Sequence, residues 1–287
     1  VTDLGPHVRL AHVPGAQGDN NLLGQRGVDK VPDEGRPALL VSYYYAEPFL
    51  ARRADYAYRD WVLDSGAFTA NAQGEPIDLD AYIAKCQELL ATDPTLTEVF
   101  ALDVIGDWKA SAANTDKMWE AGIPAVPCFH MGSPEEELVR LAKTYPKIAL
   151  GGVVGLREDV RIEWAGQCFA RVWPKKVHGF GFGGRKAILA IPWHSVDATN
   201  WELGPCKFGQ WRTFGKLSVR GSSQNLRVEI EHYLRLEREA RQRWRREMAL
   251  LEQLSPAPAP SVRLALPIWG KGNSLDKKVT KAMGGGP

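Results

Sequence analysis

Six apolar runs in this 287-residue chain end in groups able to do chemistry. One closes in Asp64-Ser65-Gly66-Ala67-Phe68, the next in Asp103, and the following ones in His130 and Gly151-Gly152. The last two carry His178-Gly179-Phe180-Gly181 and Asp197. Each has a bland explanation: a strand-end Asp caps the next helix, a strand-end Gly permits a tight turn, and a lone His is commonly a satisfied hydrogen-bonder. Together they make a site. Two carboxylates facing each other across a pocket suit glycosyl chemistry, one attacking the anomeric carbon while the other moves the leaving group's proton. Phe68 offers a flat ring for stacking, Asp103 and His130 can read polar edges, and the glycines admit a planar ligand close to the backbone. These residue types point to a planar heterocycle attached to a sugar. No HExxH, P-loop or 2-His-carboxylate pattern is present, and Cys128-x-His130, the one close Cys/His pair, is a weak metal signal.

The elements that must position these groups alternate. Apolar strand candidates lie at 38–45, 60–66, 97–104, 125–130, 148–154, 176–182 and 191–197, with amphipathic stretches at 79–91, 114–122, 134–145 and 160–173 between them. Ser133-Pro134 before three glutamates reads as a helix start with Ser as cap. Strand and helix recur at the rhythm of βα units feeding a parallel sheet. An eighth strand is expected within 207–219, which makes an α/β fold, a (β/α)8 TIM-like barrel, the expectation. No GxGxxG opens the first unit, against a dinucleotide-binding fold. A barrel presents its chemistry at the C-terminal ends of its strands, where the polar groups above fall.

Around this barrel (37–220), residues 1–36 read as an irregular N-terminal arm, rich in Gly, Asp, Asn and Pro. Residues 221–254 hold a charged helix with Leu226, Ile230, Tyr233, Leu234, Ala240 and Trp244 as its expected apolar face. A Pro-rich linker and a basic, Gly-rich tail fill 255–287. Hydrophobic residues at 44% and charged residues at 24% are ordinary for a globular chain, and a net charge of +2 does not announce a nucleic-acid partner. The four cysteines stand tens of residues apart, against a disulfide framework and a Cys-rich zinc site. No signal peptide or membrane-length apolar run is visible, so a cytoplasmic setting without membrane contact is the expectation, in the host cytoplasm if the chain is phage-encoded.

In order along the chain, the motifs resemble those of tRNA-guanine transglycosylases. LDSGAF (63–68) resembles their DSGGFQ motif and FALDVIGD (100–107) their FDE segment. IALGGVVG (148–155) is similar to LAVGG, VHGFGFGG (177–184) to HLMGVG, and SVDATNW (195–201) to the VDMFDCV strand. The register covers roughly residues 38–205. HGFGFGG followed by IPWHSVDATNW is closer still to the phage and bacterial DpdA proteins, relatives that insert 7-deazaguanines into DNA.

The resemblance implies that Asp197 is the nucleophile attacking C1′ and that Asp64 manages protons on the departing and incoming bases. It makes Phe68 a stacking ring and Asp103 an acceptor for the base's amino and ring N–H groups. Ser65, His130, Gly151, Gly152, His178 and Gly181 would line the base slot. His130 stands where that family commonly has glutamine, which bears on the choice of base. Arg157, Lys175, Lys176, Arg185, Lys186, Lys207 and Arg212 are candidates for steering a nucleic-acid backbone. The tRNA enzymes follow their nucleophile strand with a CxCxxC…H zinc site. Here Asp197 is followed by a lone Cys206, and the next histidine is His232. No metal or other cofactor is therefore expected, and the missing subdomain favours DNA over tRNA as the partner of a free 7-deazaguanine such as preQ0. A non-catalytic nucleic-acid-binding relative is the third alternative, and whether the chain forms a homodimer stays open.

Overall fold

The computed structural model describes residues 5–12, 32–202, 211–213, 216–218 and 227–254. Eight parallel strands make one sheet. They are β1 (His7–His12), β2 (Ala38–Ser42), β3 (Trp61–Asp64), β4 (Leu96–Val99), β5 (Cys128–His130), β6 (Lys147–Gly151), β7 (Lys176–Gly179) and β8 (Ser195–Ala198), in the order 4-3-2-1-8-7-6-5. Past the ends of β4, Phe100 forms a parallel bridge with Val126, with Ala101 N–H donating to Val126 O and Val126 N–H to Val99 O. That bridge ties the two outer strands together, so the sheet curls round on itself as a TIM-like (β/α)8 fold.

Helices alternate with the strands: α1 (Ala46–Arg52), α2 (Ala67–Gln73), α3 (Leu79–Thr92), α4 (Trp108–Glu120), α5 (Glu135–Thr144), α6 (Glu158–Val172), α7 (Arg185–Ala190) and α8 (Arg227–Leu254). Local chemistry sets several starts. Asp78 caps α3 by accepting from Ala81 N–H at 2.7 Å, and Asp107 caps α4 by accepting from Lys109 and Ala110 N–H at 3.0 Å. At α5 the cap position is Pro134 rather than Ser133, one residue later than the sequence reading, with Glu135, Glu136 and Glu137 on the positive end of the dipole.

Period-two alternation divides the strand residues between two cores. Those pointing outward, such as Leu39, Val41, Leu63, Ile148, Val177 and Val196, pack under the helices. Those pointing inward form a small plug of Leu40, Val62, Phe100, Val126 and Ala149, with Phe180 against it. Below the plug, towards the strand starts, the interior is ionic. Arg9 pairs with Asp60 at 2.6 Å, and Lys147 donates to both carboxylate oxygens of Glu98 at 2.7 and 2.6 Å.

Two expectations are corrected here. Residues 1–36 are not wholly an irregular arm, because His7–His12 is a barrel strand hydrogen-bonded between β2 and β8. The segment 207–219 is not the eighth barrel strand. Within it β9 (Trp211–Thr213) and β10 (Lys216–Ser218) pair antiparallel with each other, outside the barrel sheet. The charged helix α8 docks through Ile230, Tyr233, Leu236 and Ala240, so Leu236 joins the face expected from sequence while Leu234 is only partly buried. Leu226 and residues 255–287 lie outside the described residues. No helix among the described residues is long and apolar enough to cross a membrane.

Candidate functional site

Asp64 ends β3, and its carboxylate accepts from Gly66 N–H at 3.1 Å across the tight turn that starts α2. Burial pushes its pKa up to about 7, helped by the negative charge of Asp103 and, after the offsetting Gly66 N–H bond, that of Asp197. Ser65 is buried in the same turn. Ser42 stands opposite Asp64 in the β2–β3 register, and its buried hydroxyl has no hydrogen-bond partner among the described residues. The sequence reading missed Ser42, because a serine ending an apolar run carries no signal until register puts it beside a carboxylate.

Asp197, in β8, is buried, and its Oδ1 accepts from Gly181 N–H at 2.8 Å. Burial raises its pKa to about 6, with the Gly181 N–H bond pulling the other way. Gly181 can present that N–H because it sits at φ +77°, where a side chain would strain the backbone. Arg161 from α6 donates to Gly181 O and braces the turn.

Asp103, after β4, meets His130 at the end of β5: Nε2 and Oδ2 are 3.0 Å apart. Burial opposes charge on His130, and because the Cys128 thiol beside it is neutral, the Asp103 carboxylate at its Nε2 is the partner that holds its pKa above the usual value. The pair can therefore offer a positive N–H and a carboxylate to the edge of a ligand. Gly151, at the end of β6, leaves the room this pair needs, since a Cβ there would lie 2.8 Å from Cys128 Sγ and 3.3 Å from a His130 ring carbon. Gly152 follows it half-buried. Oxygen, sulfur and nitrogen donors of Asp103, Cys128 and His130 all lie within 4.8 Å of one another, so this trio could hold a metal ion with a fourth position left open. Burial keeps the Cys128 thiol protonated, with a pKa of about 11, and a metal would have to displace that proton.

The mouth is rimmed with exposed apolar side chains: Tyr44 after β2, Phe68 on α2, Val104 after β4 and Val154 after β6. Phe68, 59% exposed, is thus available for stacking. His178 does not line the mouth. It is fully buried in the barrel interior between the rings of Phe100 and Phe180, whose centroids lie 4.7 and 4.5 Å from its own.

The basic candidates scatter. Lys175 and Lys176 precede or open β7, at the end of the barrel opposite the mouth, which removes them as candidates for steering a backbone towards it. Arg157 and Arg185 are on the mouth side, but they pair with Asp159 and, through two bonds of 2.6 and 2.5 Å, with Glu239. Lys186 is exposed on α7, Arg212 belongs to β9, and Lys207 lies outside the described residues.

No family model and no curated protein matches the sequence. Among solved structures, the tryptophan synthase subunit alpha from Campylobacter jejuni is similar at a TM-score of 0.45 and 11% identity, over 82% of this chain and 95% of that one. The carboxyl transferase domain from Rhizobium etli pyruvate carboxylase with 3-hydroxypyruvate is similar at 0.42 and 13% identity, over 84% of this chain and 50% of that one. The chain thus spans about half the length of the latter protein. At these scores neither likeness carries an argument about activity.

Proposed function

We propose that this chain is a DNA-guanine transglycosylase, exchanging guanine for a 7-deazaguanine such as preQ0 by double displacement. The observation that carries the reading is the pair of mouth carboxylates, Asp64 and Asp197, whose pKa values are raised by burial to about 7 and about 6. Burial favours the protonated form of both, and the added negative charges of Asp103 and Asp197 at Asp64 make Asp64 the carboxyl that keeps its proton, the arrangement the first step requires.

In that step an Asp197 oxygen attacks C1′ and the C1′–N9 bond breaks, and the departing guanine takes the Asp64 proton. In the second, ionised Asp64 removes the ring proton from the incoming base. Its nitrogen then attacks C1′, the ester to Asp197 breaks, and the carboxylate is regenerated. Two inversions at one carbon retain the β configuration. Asp103 and His130 read the base edge and Phe68 stacks on it, while the target nucleotide leaves its duplex to reach the mouth. The chain's own side chains handle every proton in this scheme, so it calls on no cofactor. DNA is preferred to tRNA because the sequence has no CxCxxC…H pattern after Asp197.

Incubation with labelled preQ0 and either duplex DNA or tRNA tests the reading, with label expected in DNA. Label entering tRNA alone would transfer the same chemistry to the other polymer. Nucleic acid bound without any exchange would mark a non-catalytic relative. Asp197→Asn should abolish both the exchange and any denaturant-stable adduct with nucleic acid; full activity in that variant would remove Asp197 as the nucleophile.

A further inference from the structure

A line of buried polar groups runs up the barrel interior from its ionic floor to the mouth. Lys147 Nζ, held by Glu98, lies 3.0 Å from Ser195 Oγ. Ser195 Oγ lies 2.8 Å from His178 Nδ1. The other ring nitrogen, Nε2, is buried without a hydrogen-bond partner among the described residues and stands 3.9 Å from Asp197 Oδ1.

The direction of these bonds follows from which groups can donate. A lysine ammonium only donates, so Ser195 Oγ accepts from Lys147. Ser195 Oγ could accept from both neighbours, but among the described residues its single proton has no acceptor other than His178 Nδ1, and the opposite assignment would turn a bare Nε2 lone pair towards the Asp197 carboxylate, so Nδ1 accepts. A neutral imidazole that accepts at Nδ1 carries its proton on Nε2. Burial, with the charges of Lys147 and Arg9 nearby, holds His178 well below its usual pKa and keeps it neutral. The unpartnered atom is therefore an N–H, and the acid group in front of it is Asp197.

We propose that Glu98, Lys147 and Ser195 lock His178 as its Nε2–H tautomer, and that this N–H is a second donor to Asp197 Oδ1 beside Gly181 N–H. Two donors on Oδ1 leave Oδ2 as the oxygen that faces the sugar. Closing the gap needs a movement of ~1 Å to reach ordinary hydrogen-bond length. His178 is a positioning residue in this scheme, because it acts through Asp197 and does not touch the base. The orientation of Asp197 for attack rests on the transglycosylase reading; the tautomer and the bond to Asp197 do not.

Nitrogen-15 imidazole spectra of the full chain test the lock directly. His178 should appear as a neutral Nε2–H ring from pH 5 to 7, below the pKa of about 8 to which burial lowers the Lys147 ammonium, and Ser195→Ala should give a mixture of tautomers. An Nδ1–H ring or a charged ring in the native protein would overturn the proposal. Carbon-13 titration of the Asp197 carboxyl tests the second half. Its midpoint should rise in His178→Phe and return towards the native value in His178→Gln, whose amide N–H stands near the place of Nε2. Equal midpoints in native protein and both variants would overturn the bond to Asp197. If His178→Phe does not fold, Ser195→Ala takes its place: a freed tautomer weakens the Nε2–H donor, so the Asp197 midpoint should rise in that variant, and a midpoint equal to the native one would overturn the bond to Asp197. In exchange assays, the rate of adduct formation should fall ~10-fold or more in His178→Phe with KM for the free base unchanged, as expected for loss of one preorganised donor. Absence of exchange by native protein would strike the transglycosylase reading alone, since both spectroscopic arms would still decide the relay.

Discussion

Asp64 pays for its place at the mouth in stability, and the sign of that cost can be measured. Its folded pKa of about 7 lies above its ordinary 3.8, so between those values the native state binds more protons than the unfolded chain. Stability is therefore lost as pH rises from about 4 to about 7, and the full penalty applies above that. Asp197, raised to about 6, contributes in the same direction. Asp64→Asn removes one of these ionisations, so its melting temperature should exceed the native value by more at pH 8 than at pH 5. A difference that does not change with pH would mean that the Asp64 carboxylate is not held out of water. The identities of both aspartates were legible as acids closing apolar runs. Their protonation was not, because it depends on burial and on charges that arrive from other strands.

At the scale of elements, α8 closes the side of the barrel next to β1. Glu237 from this helix accepts from Val8 N–H at 2.7 Å and pairs with Arg59 and Arg241, each at 3.4 Å. A buried amide left without its acceptor costs about 1–3 kcal/mol. Glu237→Ala should therefore lower the melting temperature and speed hydrogen exchange at Val8, while Glu237→Gln, which keeps an acceptor, should lose less. Unchanged exchange at Val8 in the alanine variant would show that the helix does not hold the strand. The amphipathic pattern of α8 was readable from its apolar spacing. The role of Glu237 was not, because its partner lies 229 residues away in sequence.

For the whole molecule, the first strand decides whether a barrel exists. β1 pairs along both edges, with Ala38–Val41 of β2 on one side and Ser195–Ala198 of β8 on the other. Removing residues 1–12 would expose two unpaired strand edges at once and leave Glu98 and Lys147 without the neighbouring Arg9. We expect such a chain to lose its cooperative thermal transition by circular dichroism and to aggregate. A sharp native-like melt would show that the remaining seven strands close without it.

By itself the sequence determined the class of fold, seven of the eight barrel strands and the acids and glycines at their ends, because period and punctuation are local properties of the chain. Only the tertiary structure decided what those groups are to one another. HVRLAH places a charged Arg9 in the barrel interior, a cost that is met by Asp60, just before β3, and cannot be seen in six residues. Asp103 meets His130, and Lys147 meets Ser195, across 27 and 48 residues of chain. Only the closed, parallel register brings residues from alternate strands into the same layer, and the chemistry of this mouth is made of such layers.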